Sequence, residues 1–227
     1  MESKFALSSW SRSSSCATIA LVAVLLAACA MSPPRGPTPG AQGFDGDLAG
    51  WRAASTGGSG PDAKWMVVID ERAVSAPRVM SMVAASAGGE DRFNLYWTPE
   101  PAIADGRVSV AVRADGGEVD QGGGPMWRVQ DADNYYVCRF NPLESNFRVY
   151  VVQDGVRRQL GTTLVITKPG DFHRVIVTFV GDHITCALNG AVMLDVRDAT
   201  IGKAGGIGLW TKADARTSFD DFVATAK

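Results

Sequence analysis

The sequence predicts an all-β sandwich or barrel, and three observations carry that prediction. After the first 30 residues no long stretch keeps a helical period of apolar positions. Short runs of β-branched and aromatic residues recur instead: WMVVI, RVSVAVRA, MWRVQ, YYVCRFN, FRVYVV, RVIVTFV, HITCAL, AVMLDV, GIGLWTK and FDDFVA. The breaks between several of them are Asp154-Gly155, Gly181-Asp182 and Asn189-Gly190, pairs that accept positive φ cheaply and suit two-residue hairpins.

The chain opens with an address rather than a strand. Lys4 and Arg12 give a weakly basic lead, and the apolar run ATIALVAVLLAA from Ala17 to Ala28 is short for a bilayer span. LAAC, Leu26 to Cys29, resembles the bacterial lipobox, in which cleavage falls before a cysteine that then carries lipid. The alternative is an ordinary secretory signal with a coincidental cysteine. The expected division is therefore a lipoprotein signal peptide over 1–28, a lipidated Cys29 with a Pro/Gly tether over 29–43, and one domain over 44–227. Ala30 after Cys29, rather than aspartate, points to a cell-envelope protein anchored in the outer membrane. A net charge of −2 gives no basic footprint for nucleic acid. Cys138 and Cys186 are the two cysteines beyond Cys29, and with no CxxC motif they do not make a zinc site.

The turns set the register of two hairpins. Across Gly181-Asp182, Phe179 faces Ile184, Val177 faces Cys186 and Val175 faces Leu188, an apolar face throughout. In the hairpin closed by Pro142–Ser145, Phe140 faces Phe147, Cys138 faces Val149 and Tyr136 faces Val151. The opposite face sets Asn141 against Asn146, Arg139 against Arg148 and Val137 against Tyr150. A slip of one residue would turn the arginines into the core, so this register is well specified. A turn at Asp131–Asn134 would add Arg128 and Gln130 to the polar face, and Trp127 and Val129 to the core.

Two arginines placed directly opposite repel each other, so an acid or a ligand oxygen is expected between them. Glu144 on the adjoining loop is the internal candidate. The plain reading is a solvated face with its own Arg–Glu network. The sharper one is a sugar-binding face of Arg128, Gln130, Arg139, Asn141, Asn146, Arg148 and Tyr150 on the concave side of a sheet. Planar donors, amides and an aromatic suit hydroxyls that both donate and accept. Trp210 and Lys212 share one side of their strand and extend the candidate set, with a core tryptophan as the alternative. Cys138 and Cys186 both face the interior, either as free thiols or, if their hairpins lie in opposite sheets, as a cross-sheet disulfide.

ADNYYVCRFNPLESNFRVYVVQDGVRRQL, DFHRVIVTFVGDHITCALNG and GIGLWTKADARTSFDDF together resemble the 3-keto-disaccharide hydrolase domain family. The resemblance covers Gly106 to Thr225 well and Phe44 to Pro101 by general pattern. It implies a two-sheet antiparallel jelly-roll sandwich of the concanavalin A-like lectin/glucanase type, often described as family-sixteen glycoside hydrolase-like. The Glu-x-Asp-x-x-Glu strand motif of true family-sixteen glucanases is missing, as is a GxSxG elbow, so retaining glucanase chemistry is excluded. The family's name implies a different route. A ketone at C3 acidifies the C2 hydrogen, a base removes it, the C1 substituent leaves by elimination, and hydration completes an apparent hydrolysis. Candidate bases are Glu144, Asp133, His173 and Asp214, with the two arginines at the developing enolate oxygen. For His173 and His183 the plainer reading is a strand-end or surface histidine. The expected partner is a saccharide or 3-keto-glycoside, and a non-catalytic sugar-binding lipoprotein is the competing function. No cofactor is implied; Asp220 of FDDF, with Asp45, could hold a structural calcium, though an aspartate capping backbone amides is the simpler reading.

Overall fold

In the computed structural model the described residues are 44, 46, 48–75, 77–84 and 89–227, all within the compact unit Pro34–Lys227. The expected signal, tether, Cys29 and Asp45 lie outside them. Among the described residues there is no helix, and none long and apolar enough to cross a membrane.

Among the described residues fourteen strands form two seven-stranded antiparallel sheets. They are β1 (Arg52–Thr56), β2 (Lys64–Ile69), β3 (Arg78–Ala84), β4 (Phe93–Ile103), β5 (Gly106–Gly116), β6 (Gly124–Asp131) and β7 (Asn134–Asn141). Then come β8 (Asn146–Gln153), β9 (Val156–Leu164), β10 (Phe172–Val180), β11 (His183–Leu188), β12 (Ala191–Arg197), β13 (Gly205–Lys212) and β14 (Arg216–Ala226). One sheet runs β1-β4-β13-β6-β7-β8-β9 and the other β12-β11-β10-β5-β14-β3-β2.

Both hairpin registers follow the sequence reading. Val175, Val177 and Phe179 pair with Leu188, Cys186 and Ile184. Tyr136, Cys138 and Phe140 pair with Val151, Val149 and Phe147, and Arg139 pairs with Arg148. The main core lies between the sheets. Trp127, Tyr136, Cys138, Phe140, Val149 and Leu209 of the first sheet meet Val108, Val110, Val177, Phe179, Cys186 and Phe219 of the second. Burial of a large apolar side chain of this kind contributes about 1.5 to 3 kcal/mol. Cys138 and Cys186 come from opposite sheets and are free and buried. Burial, and then Cys186 within hydrogen-bonding reach, push the Cys138 thiol well above its ordinary value.

Of the several register shifts in the sheets, the ones in β6 and β14 each place a charge. In β6 the register shifts between Trp127 and Asp131, and Arg128 takes φ 48°. Trp127 keeps to the core, but Val129 turns to the opposite face, where the sequence had put Arg128. In β14 the shift between Asp220 and Val223, with Asp221 at φ 48°, lets Phe219 and Phe222 both enter the core although they are three residues apart.

Candidate functional site

The face of the first sheet turned away from the core is not a solvated coat. It carries a second buried cluster, Phe93, Leu95, Trp97, Met126, Val129, Tyr135, Val137, Tyr150, Val152 and Trp210. Beside it lies a buried ion network whose centre is Asp120, 1% exposed, in the loop between β5 and β6. Asp120 Oδ2 accepts a hydrogen bond from Arg139 Nη1 at 2.8 Å and lies 3.7 Å from Lys212 Nζ; its Oδ1 accepts from Asn141 Nδ2 at 3.1 Å. Glu144 Oε2 accepts from Arg139 Nη2, from Asn146 Nδ2 at 2.8 Å and from Arg148 Nη1 at 3.3 Å. Glu144 is thus the acid between the opposed arginines.

Backbone geometry holds this network in place. Asp214 accepts from the backbone N–H groups of Glu118, Val119 and Asp120, pinning the loop that delivers Asp120. Gly117, at φ 134°, closes the same loop so tightly that a Cβ there would strike the Asp120 carbonyl oxygen. A Cβ at Gly124 would strike the Cys138 carbonyl, so this glycine lets β6 start directly against β7.

The electrostatics sort the two acids. Burial raises the Asp120 carboxyl above its ordinary value, with Arg139 and then Lys212 pulling it back. Burial also works on Glu144, but the Asn146 hydrogen bond and the charges of Arg139 and Arg148 outweigh it and leave that carboxyl lowered. Glu144 therefore stays ionised and half-open to solvent, while Asp120 is shielded.

Several expected site residues lie elsewhere. Arg128 is buried at the end of the sandwich, where it donates to the carbonyl oxygens of Ala104, Gly181 and Ile201 and reaches Asp105 at 3.3 Å. The β6 bulge turned it away from Arg139, and it ties the two sheets together. Gln130 is exposed and donates to Arg128 O and Ala204 O. Asp133 sits in the turn between β6 and β7, at the opposite end of β7 from Glu144. His173 packs its ring on Phe140, a core residue, and Nδ1 meets Asn189 Nδ2 at 3.0 Å; burial lowers its pKa. It lies behind the sheet, not on the charged face. His183 is exposed on β11 and pairs with Asp195.

Asp214 belongs to the loop anchor rather than to an open base position. Burial is opposed by its three backbone donors, which leave the carboxyl lowered. Trp210 is no exposed stacking platform: it is fully buried and its indole N–H donates to Tyr135 Oη at 3.0 Å. Arg139, Asn141 and Asn146 spend their hydrogen bonds inside the network. Asp220 accepts from Ser75 N, Ser75 Oγ and Asp221 N, which is the capping arrangement. Among the described residues no group of three or more His, Cys, Asp or Glu is placed to hold a metal.

Two residues that the sequence did not single out join the charged face. One is Asp120. The other is Arg157 on β9, whose guanidinium carbon lies 4.6 Å from the Tyr150 ring, 5.1 Å from Phe93 and 5.9 Å from Trp210. The Asp154-Gly155 turn sets Gln153 opposite Val156 and Val152 opposite Arg157, and that register was legible. Asp120 left no such signal, because an irregular glycine-rich loop has no periodicity to read. A separate cavity of about 150 Å³, lined by Trp51, Thr98, Glu100, Pro101, Ile207 and Phe222, lies away from this network.

Two seven-stranded antiparallel sheets with this order define a concanavalin A-like jelly roll, the class of fold shared by glucanases and carbohydrate-binding modules. The chain belongs to the 3-keto-alpha-glucoside-1,2-lyase-like domain family, whose model matches residues 41–223. Among solved structures it is similar to the carbohydrate binding module CBM66 from Bacillus subtilis, at 15% identity and TM-score 0.60, covering 77% of this chain and 94% of that one. It is similar also to the Bacillus licheniformis beta-glucanase, at 10% identity and TM-score 0.54, over 85% of this chain and 99% of that one. A glycoside hydrolase family 16 endo-glucanase from Bacteroides ovatus aligns at 9% identity and TM-score 0.57, over 81% and 98%. No curated protein matches the chain in sequence. The chain is thus a jelly-roll domain of that family, with the fold that glycoside hydrolases and carbohydrate-binding modules also have.

Proposed function

We propose that the outward face of the first sheet binds a 3-keto-glycoside and cleaves it by elimination, in an envelope-tethered protein. The observation that carries this reading is the convergence on one face of a half-open ionised carboxylate, Glu144, and an ammonium, Lys212, around the buried Asp120. These are the groups an elimination needs. Glu144 takes the C2 proton that the neighbouring ketone has acidified, and the electrons of that C–H bond form the C1=C2 double bond. The C1–O bond breaks, and Lys212 supplies the proton to the departing oxygen. Asp120 holds Lys212 and Arg139 in position without contacting solvent. A retaining or inverting glycosidase would need two open carboxyls flanking the bond; Asp120 is closed.

A second reading, saccharide binding without turnover, is favoured by the three donors on Glu144. They lower its pKa and weaken it as a base. One experiment separates the two. Incubated with a 3-keto α-disaccharide and its unoxidised parent, the protein should consume the first and leave the second. Glu144→Gln should slow that turnover about 10²- to 10⁴-fold. Saturable binding of both sugars with consumption of neither would establish the lectin-like reading instead.

A further inference from the structure

Arg157 stands out among the cations of this face because no carboxylate pairs with it. Arg139 has Asp120 and Glu144, Arg148 has Glu144 and Lys212 has Asp120. Arg157 has no carboxylate within ion-pair distance and makes no hydrogen bond among the described residues, and its Nη1 is buried without a partner. Tyr150, Phe93 and Trp210 surround it with ring faces, which orient a guanidinium but satisfy none of its N–H groups. Burial, and repulsion from Arg139, lower its pKa, so holding the charge there is costly. Across the face, four cations (Arg139, Arg148, Arg157 and Lys212) stand against two carboxylates, Asp120 and Glu144. Arg157 as a whole is only partly buried, and a pre-oriented planar donor with no carboxylate beside it suits an oxygen anion.

We propose that Arg157 in its ring of Phe93, Tyr150 and Trp210 is the anion-binding position of this face, and that the sugar presents a negatively charged oxygen to it. This rests on the outward face being the saccharide site. Two sources share the chemistry: a carboxylate carried by the sugar, as in a uronic acid, or the enolate oxygen that forms at C3 when the C2 proton leaves. The first is present in the ground state and acts on binding. The second exists only along the reaction and acts on kcat.

The test uses the full-length protein, its Arg157→Gln and Arg157→Lys variants, and Arg107→Gln as an exposed control, each checked for an unchanged melting transition. Binding is measured for methyl α-glucuronide and methyl α-glucoside, and turnover for a 3-keto α-disaccharide. A carboxylate ligand predicts at least tenfold tighter binding of the glucuronide by wild type, lost in Arg157→Gln and partly kept in Arg157→Lys. An enolate predicts no glucuronide preference, but a kcat at least a hundredfold lower in Arg157→Gln with KM little changed. Turnover of the 3-keto sugar that Arg157→Gln leaves intact, without a glucuronide preference, overturns the anion position and spares the elimination reading. A glucuronide preference that needs Arg157, with no 3-keto turnover, does the reverse. Neither binding preference nor turnover in wild type sinks both.

Discussion

Removing Arg139 should strand Asp120 and make the stability of the fold depend on pH. The two side chains are 2% and 1% exposed, and their nearest atoms are 2.8 Å apart. At an effective dielectric of about 20, opposite charges at that distance attract by about 6 kcal/mol. Breaking one side of a buried pair costs about 3 to 5 kcal/mol. Lys212 and Asn141 remain beside Asp120, so Arg139→Leu should fall near about 3 kcal/mol at pH 7.5. For a domain of this size that lowers Tm by about 6 to 12 °C. Burial already holds the Asp120 carboxyl above its ordinary value, 3.8, and loss of Arg139 pushes it higher. With the folded value above the unfolded one, the native state binds the proton more tightly. Stability therefore rises as pH falls through the folded value, by about 1.4 kcal/mol per unit, and levels off below the unfolded value. Arg139→Leu should accordingly recover ground on wild type as pH is lowered from 7.5 toward the unfolded value of that carboxyl. Adding Asp120→Asn should restore part of the loss at pH 7.5 by removing the stranded charge. Thermal melts over a descending pH series decide it. A single variant melting within about 2 °C of wild type, with a double variant below both, would refute the buried-pair account.

Other outcomes follow from the same contacts. Asp214→Ala should release the loop before β6, seen as faster amide exchange at Glu118, Val119 and Asp120, with a cost of about 1 kcal/mol for this partly exposed anchor. Because its folded pKa is lowered, the stability Asp214 supplies is present above its unfolded value and should fade as pH drops through the folded one. Thiol titration of the denatured, unreduced domain should find Cys138 and Cys186 both reactive; none reactive would mean that they join across the sheets. A palmitate analogue should label wild type and not Cys29→Ala, and equal labelling of both would rule out the lipid anchor.

The hairpins were legible because side-chain alternation has a period of two and the turn residues fix where it starts. The Gly181-Asp182 pair and the Pro142–Ser145 loop therefore gave register residue by residue, down to Arg139 opposite Arg148. What alternation cannot report is a bulge. Arg128 sits within a run that alternates cleanly on paper, yet its left-handed backbone moves it to the other side of the sheet and exchanges it with Val129. Nor does alternation say what covers a face. Arg139 and Asn141 read as a polar surface, yet they are buried, and a loop without periodicity brings Asp120 onto both.

The same limit explains why the sequence pointed to Arg139 and Arg148 and not to Arg157. Direct opposition of Arg139 and Arg148 is an electrostatic problem that the chain solves itself, with Glu144 between them and Asp120 behind. Arg139 keeps a buried Nε without an acceptor, but its charge is matched by two carboxylates. Arg157 raises no conflict in the sequence, since its cross-strand partner is Val152 and its neighbours in space are rings. Its unmet need appears only once β9 is placed against β8 and the guanidinium is seen without an acceptor. Among the arginines of this face, Arg139 and Arg148 are paired with carboxylates and Arg157 is not, so Arg157 is the one to change first.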